Sequence, residues 1–244
     1  MLSEPARVVL LIAGCAVLWS LESLIPLYRF NDGRARRALP NAGLTVLLLL
    51  TNLALSFAAA RVCAASQRET EMPAWLHAVI GIAALDLFAY VAHVLLHKIP
   101  FAWRFHRVHH SDQAVDVTTA FRQHPGETVW RVLWQLPAIA LFGLPLWIVV
   151  VSLTVSAANA QLEHANIRLP ERLDRALRLL FVTPDMHKVH HSRLQPETDS
   201  NYSNIFSVWD RLFGTYTSRV DFGALRYGLD DSRATFIGLL RMPF

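Results

Sequence analysis

Three apolar runs, Val8 to Leu27, Gly43 to Ala65 and Leu76 to about His97, each match the roughly 20 residues that a helix needs to cross a bilayer. A fourth tract, Val129 to Gln161, is too long for one straight span and is broken by Pro137 and by Phe142-Gly143-Leu144-Pro145. It reads as a helical hairpin that enters the membrane and returns, with the Gly-Pro pair at the turn. The count is four or five crossings, depending on how deeply the hairpin penetrates. Composition agrees: 53% of the 244 residues are apolar and 17% charged, which excludes both a disordered chain and an ordinary soluble domain. Cys15 and Cys63 lie inside apolar runs and supply neither a disulfide framework nor a zinc-ribbon spacing.

Orientation follows from the arginines. Arg29, Arg34, Arg36 and Arg37 follow the first run, and the positive-inside rule places that loop in the cytoplasm. Counting crossings, the third helix then ends on the cytoplasmic side near His97, and the hairpin returns the chain to the same face. Arg168, Arg172, Arg175 and Arg178 fall on that face too, in independent agreement with the rule. Residues Pro170 to Val182 read as a short amphipathic helix, with Leu173, Leu177, Leu180 and Phe181 on one side, lying on the membrane surface or packed on a cytoplasmic domain.

Eleven histidines are many for so apolar a chain, and eight of them fall into three clusters: HVLLH at 93–97, HRVHH at 106–110 and HKVHH at 187–191. Residues three and four apart share a helix face, so each cluster is expected to converge on a common point as a preformed half-site. The topology puts all three just outside the membrane on one face. Eight imidazoles cannot crowd together as cations, and an apolar setting favours the neutral, metal-binding form. That number of ligands suggests a two-metal centre, and imidazole suits Fe, Zn and Cu alike. His164, where the hairpin re-emerges, is a candidate ninth ligand. His124, a loop histidine before Pro125, is a second-tier candidate that can equally order its turn. His77, sixteen residues before His93, lies at the wrong depth and is excluded. Asp86, Tyr90, His93 and His97 form one stripe; the buried acid is read either as acceptor for a ligand histidine or as an interhelical partner of Asn52 or Thr51.

The stretches DLFAYVAHVLLH, WRFHRVHHSD, TTAFRQHPGE, LEHANIRLP, TPDMHKVHHS and NYSNIFSVWDRLFGTY, in this order between Asp86 and Tyr216, resemble the fatty acid hydroxylase and sterol desaturase superfamily of integral membrane oxygenases. The resemblance implies an all-α integral membrane bundle of four to five transmembrane helices with a cytoplasmic histidine-box cap. It implies two non-haem Fe ions held by His93, His97, His106, His109, His110, His187, His190 and His191, with His164 matching a further family histidine. His124, Asp86, Glu163 and Asn166 are placed around them as outer contacts or further ligands. O2 and two electrons would then hydroxylate, or desaturate, an unactivated C–H bond of a lipid such as a sterol or fatty acyl chain. No fused cytochrome b5 domain is expected; electrons would come from a separate donor, cytochrome b5-like or a ferredoxin with its reductase, docking near Arg172, Arg175 and Arg178. Residues 1–75 read as N-terminal membrane helices, 76–216 as the catalytic region and 217–244 as a cytoplasmic tail of one unit. The partners expected are the lipid, the membrane and the donor, with no nucleic acid.

Two rival readings compete. A membrane di-zinc hydrolase would need a carboxylate base beside the ligands; no box contains one, and Glu127 and Glu163 are the nearest. A metal transporter or sensor would need polar residues through the depth of the spans, whereas the histidines gather at one face. Only two of the 23 basic residues, Lys98 and Lys188, are lysine, a bias that points to a GC-rich genome and a bacterial inner membrane.

Overall fold

The structure, a computed structural model, describes residues 4–29, 33–68, 70–219, 224–231 and 235–244. Among them the elements are α1 (Glu4–Leu24), α2 (Arg34–Ser66), α3 (Ala74–Lys98), α4 (Pro100–His110), a 3-10 turn (Val117–Phe121), α5 (Pro125–Phe142), α6 (Leu146–His164), α7 (Glu171–Leu177), α8 (Pro184–His190), α9 (Gln195–Thr198), α10 (Val208–Leu212) and α11 (Phe236–Arg241). The described residues hold no β-strand, only isolated bridges such as Phe181 with Phe206. Proline opens α4, α5 and α8, where its missing N–H costs nothing.

Four helices, α1, α2, α3 and α6, are long and apolar enough to cross a membrane. The fourth apolar tract is the hairpin expected of it: α5 and α6 are joined at Gly143, whose φ of 59° lies in the left-handed region that favours glycine. A Cβ there would stand 3.1 Å from the Ser66 carbonyl oxygen, so the turn packs tightly on the end of α2. α5 carries Glu127 and Arg131 and is not itself among the long apolar helices. α2 begins nine residues before the apolar run. Its 33 residues span about 50 Å, well beyond a hydrocarbon core of about 30 Å, so one end projects from the apolar layer. That end is polar and tied down: Arg34 pairs with Glu22, and Asn41 donates to Thr118 Oγ1 at 2.9 Å and to Asp112 at 3.4 Å.

α3 is the inner helix, packed on α4, α5 and α6, while α1 and α2 keep apolar side chains such as Val9, Ile12, Leu49 and Phe57 exposed. Cys63, Leu85, Ala138, Ile139, Leu144 and Val149 make the core at the hairpin side. The bundle thus has two ends. One gathers the hairpin turn, the end of α2 and the start of α3; the other gathers the start of α2, the ends of α3 and α6, the start of α5 and the whole of α4. Between Pro170 and Val182 only Glu171–Leu177 is α-helical, and Leu173, Leu179, Leu180 and Phe181 remain exposed. The segment 201–216 is mostly irregular and is organised by two carboxylates. Asp210 accepts from the Tyr202 and Ser203 amides and from Thr215, and Asp86 accepts from the Ile205 and Phe206 amides and from Trp209 Nε1, all three at 2.9–3.0 Å.

Candidate metal centre

Nine histidines meet at the second end, in two adjoining groups. The first holds His93, His97, His106, His110 and His190; the second holds His109, His164, His187 and His191. Within each group one ring nitrogen from every residue lies within 4.8 Å of all the others. The rings interlock across the boundary, with His110 stacked on His191 at a centroid distance of 4.6 Å. The expectation that each cluster converges on a point of its own holds for His93 and His97 and fails for the two HxxHH boxes, which are split. In the second box His106 and His110 serve the first group and His109 the second; in the third box His187 and His191 serve the second group and His190 the first. At 100° per residue, positions four apart differ by about 40° and positions one apart by about 100°, so a helix lying between two points sends its i,i+4 pair one way and the remaining residue the other.

Hydrogen bonding fixes which nitrogens face inward. Nδ1 of His93, His164 and His190 lies 2.7 Å from the carbonyl oxygens of Tyr202, Ala160 and Ser200. A carbonyl only accepts, so Nδ1 carries the proton and Nε2 presents a lone pair. The bare Nε2 of His164 then stands 3.0, 2.9 and 3.2 Å from Nε2 of His109, His187 and His191, and the last two are 3.2 Å apart. One lone pair cannot satisfy three such neighbours. Nitrogens 2.9–3.2 Å apart do suit the edges of a coordination polyhedron whose centre is about 2 Å from each, an ordinary metal–imidazole distance. Nε2 of His97, His110 and His190 is likewise buried without a hydrogen-bond partner in the first group. The residues therefore fit a metal in each group. Burial, with neighbouring histidines adding to it, pushes the imidazoles of His106, His110, His187 and His191 well below the usual 6.5, which keeps them neutral.

In the first group two further outer nitrogens lie beside carboxylates, whereas Nδ1 of His109, His187 and His191 in the second is buried without a hydrogen-bond partner. Glu127, fully buried on α5, places Oε1 3.0 Å from His106 Nδ1 and accepts from Arg131 Nε at 2.9 Å. Asp199 Oδ1 lies 3.4 Å from His97 Nδ1, and Lys98 donates to the other oxygen at 2.7 Å; these partners hold the Asp199 carboxyl well below the usual carboxylate range. Arg122 caps the end of α4 through the Val108 carbonyl and Ser111, and its other nitrogen reaches Asn41. Glu127 was legible only as a possible base, and its pairing with His106 joins two helices whose contact no spacing encodes.

The remaining candidates, Glu163 apart, lie away from the two groups. Asp86 hydrogen-bonds to neither a histidine nor Asn52 or Thr51: it accepts from the Ile205 and Phe206 amides and from Trp209 Nε1, because that stretch packs on its face of α3. His124 stands outside both groups as the N-cap of α5, its Nδ1 accepting from the Gly126 amide at 3.0 Å. Glu163 borders the second group, 3.8 Å from His187 Nε2, and accepts from Asn159 at 3.3 Å. Asn166 ties the α6 end to the loop after α1, exchanging bonds with the Tyr28 backbone. Of the expected basic patch, Arg172 and Arg175 are exposed, Arg175 beside the equally exposed Glu171, while Arg178 pairs with the buried Asp174.

An α-helical bundle with four membrane-length helices and two adjoining all-histidine groups defines a histidine-box membrane protein. The model of the fatty acid hydroxylase family matches residues 78–215, more than half of the chain, and the chain belongs to that family. It is 31% identical to an ornithine lipid hydroxylase of Rhizobium tropici over 71% of its own length and 52% of the relative's. It is 30% identical to an alkylglycerol monooxygenase of Caenorhabditis elegans over 62% of its length and 29% of the relative's. A cholesterol 25-hydroxylase-like protein of Danio rerio is 30% identical, over 59% of each chain. The chain thus spans about half of the first of these relatives and under a third of the second. No solved structure matches the chain.

Proposed function

We propose that this chain is a membrane-bound non-haem di-iron oxygenase that uses O2 and two electrons to hydroxylate an unactivated C–H bond in the hydrocarbon part of a lipid. One observation carries the reading: two adjoining sets of buried imidazole nitrogens face each other at metal-ligand spacing, with no carboxylate among them. Bound there, two iron ions supply what side chains cannot, a reductive activation of O2 able to attack a bond with neither an acidic proton nor a leaving group. His93, His97, His106, His110 and His190 hold one ion and His109, His164, His187 and His191 the other. The chain's share is positioning and exclusion. Tyr202, Ser200 and Ala160 carbonyls, with Glu127 and Asp199, fix the ring tautomers, and burial keeps bulk water and stray reductants away.

The relatives named for ornithine lipid and alkylglycerol favour a headgroup-bearing lipid with an acyl or alkyl chain. Residues 76–216 form the catalytic region, 1–75 the lipid-facing anchor and 217–244 a cytoplasmic tail. The start of α2, with Arg34 and Arg37, adjoins the histidine end through Asp116, and by the positive-inside rule this supports a centre on the cytoplasmic face of what the arginine bias suggests is a bacterial inner membrane. A separate electron donor docks on that face. The hydrolase reading loses one of its two base candidates, because Glu127 is engaged on the outer side of His106 by that ring and by Arg131.

The test is purification under anaerobic conditions into lipid nanodiscs, metal analysis, and incubation with ornithine lipids or ether lipids, a reductant and O2. The expected result is iron in the protein and a product one oxygen atom heavier that forms only with O2. Zinc without iron, together with lipid hydrolysis in the absence of O2, overturns the reading.

A further inference from the structure

Arginine fills every basic position in this chain except Lys98 and Lys188. Lys98 lies half-exposed at the end of α3. Lys188, inside the third histidine box, is 0% exposed. Its Nζ donates to three backbone carbonyls, those of Glu163 at 3.5 Å, His164 at 2.5 Å and Ala165 at 3.1 Å. These are the closing residues of α6, where a helix leaves carbonyls without intrahelical partners and carries the negative end of its dipole. An ammonium is a compact charge with three donors radiating from one atom, and it serves three converging carbonyls in a way the flat fork of a guanidinium does not.

The placement matters for one histidine group and not for the other. The second group draws His164 from the end of α6 and His187 and His191 from the third box. Lys188, next in sequence to His187, binds the carbonyl of His164 itself. The buried cation nearest the first group, Arg122, caps the end of α4, which serves both groups. The rings of the first group are set by the Tyr202 and Ser200 carbonyls and by Asp199 and Glu127.

We propose that Lys188 is the positioning residue of the second histidine group: its ammonium, bound to the end of α6, fixes His164 Nε2 relative to His187 and His191 and so governs how firmly that group holds metal. The inference rests on the proposed binding of one metal ion by each group. It is tested on the full chain in nanodiscs loaded with Fe(II), by following iron transfer to a chromophoric chelator. Wild type is expected to release iron in two phases, which His97→Ala and His191→Ala assign to the first and second groups by removing one phase each. Lys188→Met is expected to speed the second-group phase by about 10- to 100-fold, the range for losing a residue that orients metal ligands, and to leave the first-group phase within about twofold. A general loosening of the fold would speed both phases together, and that result overturns the proposal, as does a variant with both phases unchanged. Should Lys188→Met not fold, Lys188→Arg is read in the same assay. It keeps the charge without the three-way contact and is expected to speed the same phase, and an unchanged phase overturns the proposal. A wild type that binds no iron overturns the metal reading itself and this inference with it.

Discussion

The two histidine groups touch, yet they are built on different supports. The first takes four of its five rings from i,i+4 pairs on α3 and α4, and its outer nitrogens meet two carboxylates and two carbonyls. The second takes one ring from α4, one from the end of α6 and a pair from the third box, and is braced by the buried ammonium of Lys188. The contrast shows that each HxxHH box bridges the two groups, whereas the HVLLH box serves one. Because α4 and α8 each contribute to both groups, a shift of either helix disturbs both, whereas a change on α3 or α6 disturbs one.

The largest expected effect comes from the stacked pair that straddles the boundary. His110→Ala and His191→Ala should each reduce lipid oxidation by about 100-fold or more, beyond the range for losing an orienting contact, measured as oxygenated lipid per unit time. A variant of either kind with near-native turnover would break the assignment of its group. Glu127→Gln keeps the shape of the side chain and removes the charge facing His106 Nδ1. A loss of about 10- to 100-fold in iron affinity confined to the first group is expected, read by competition with a chelator. Loss from both groups would mean that they do not act as separate sites. His124→Ala should do least: it removes a helix cap worth about 0.5–2 kcal/mol, lowering the unfolding midpoint in detergent while leaving iron content unchanged. An altered iron content there would return His124 to the ligand set.

Much of this is legible in the sequence, for a physical reason. Span length and the hairpin at Gly143 are local properties, and so is the i, i+3, i+4 spacing that put His93, His97 and the two HxxHH boxes on shared faces. His164 could be placed from its depth alone. What the spacing did not encode is how the faces are shared out. Which of His106, His109 and His110 turns to which group depends on where α3, α6 and α8 pack around α4. The partners of the buried charges were hidden for the same reason. Asp86 binds backbone amides about 120 residues away in sequence, Glu127 meets His106 across two helices, and Lys188 reads as a spacer within HKVHH until the end of α6 is seen against it.

Iron per chain, determined by elemental analysis on anaerobically reconstituted wild type, His110→Ala and His191→Ala, tests the proposed pair of metal sites with different ligand sets. Two ions in the wild type and one in each variant is the predicted result. One ion or none in the wild type, or two retained in both variants, would contradict it.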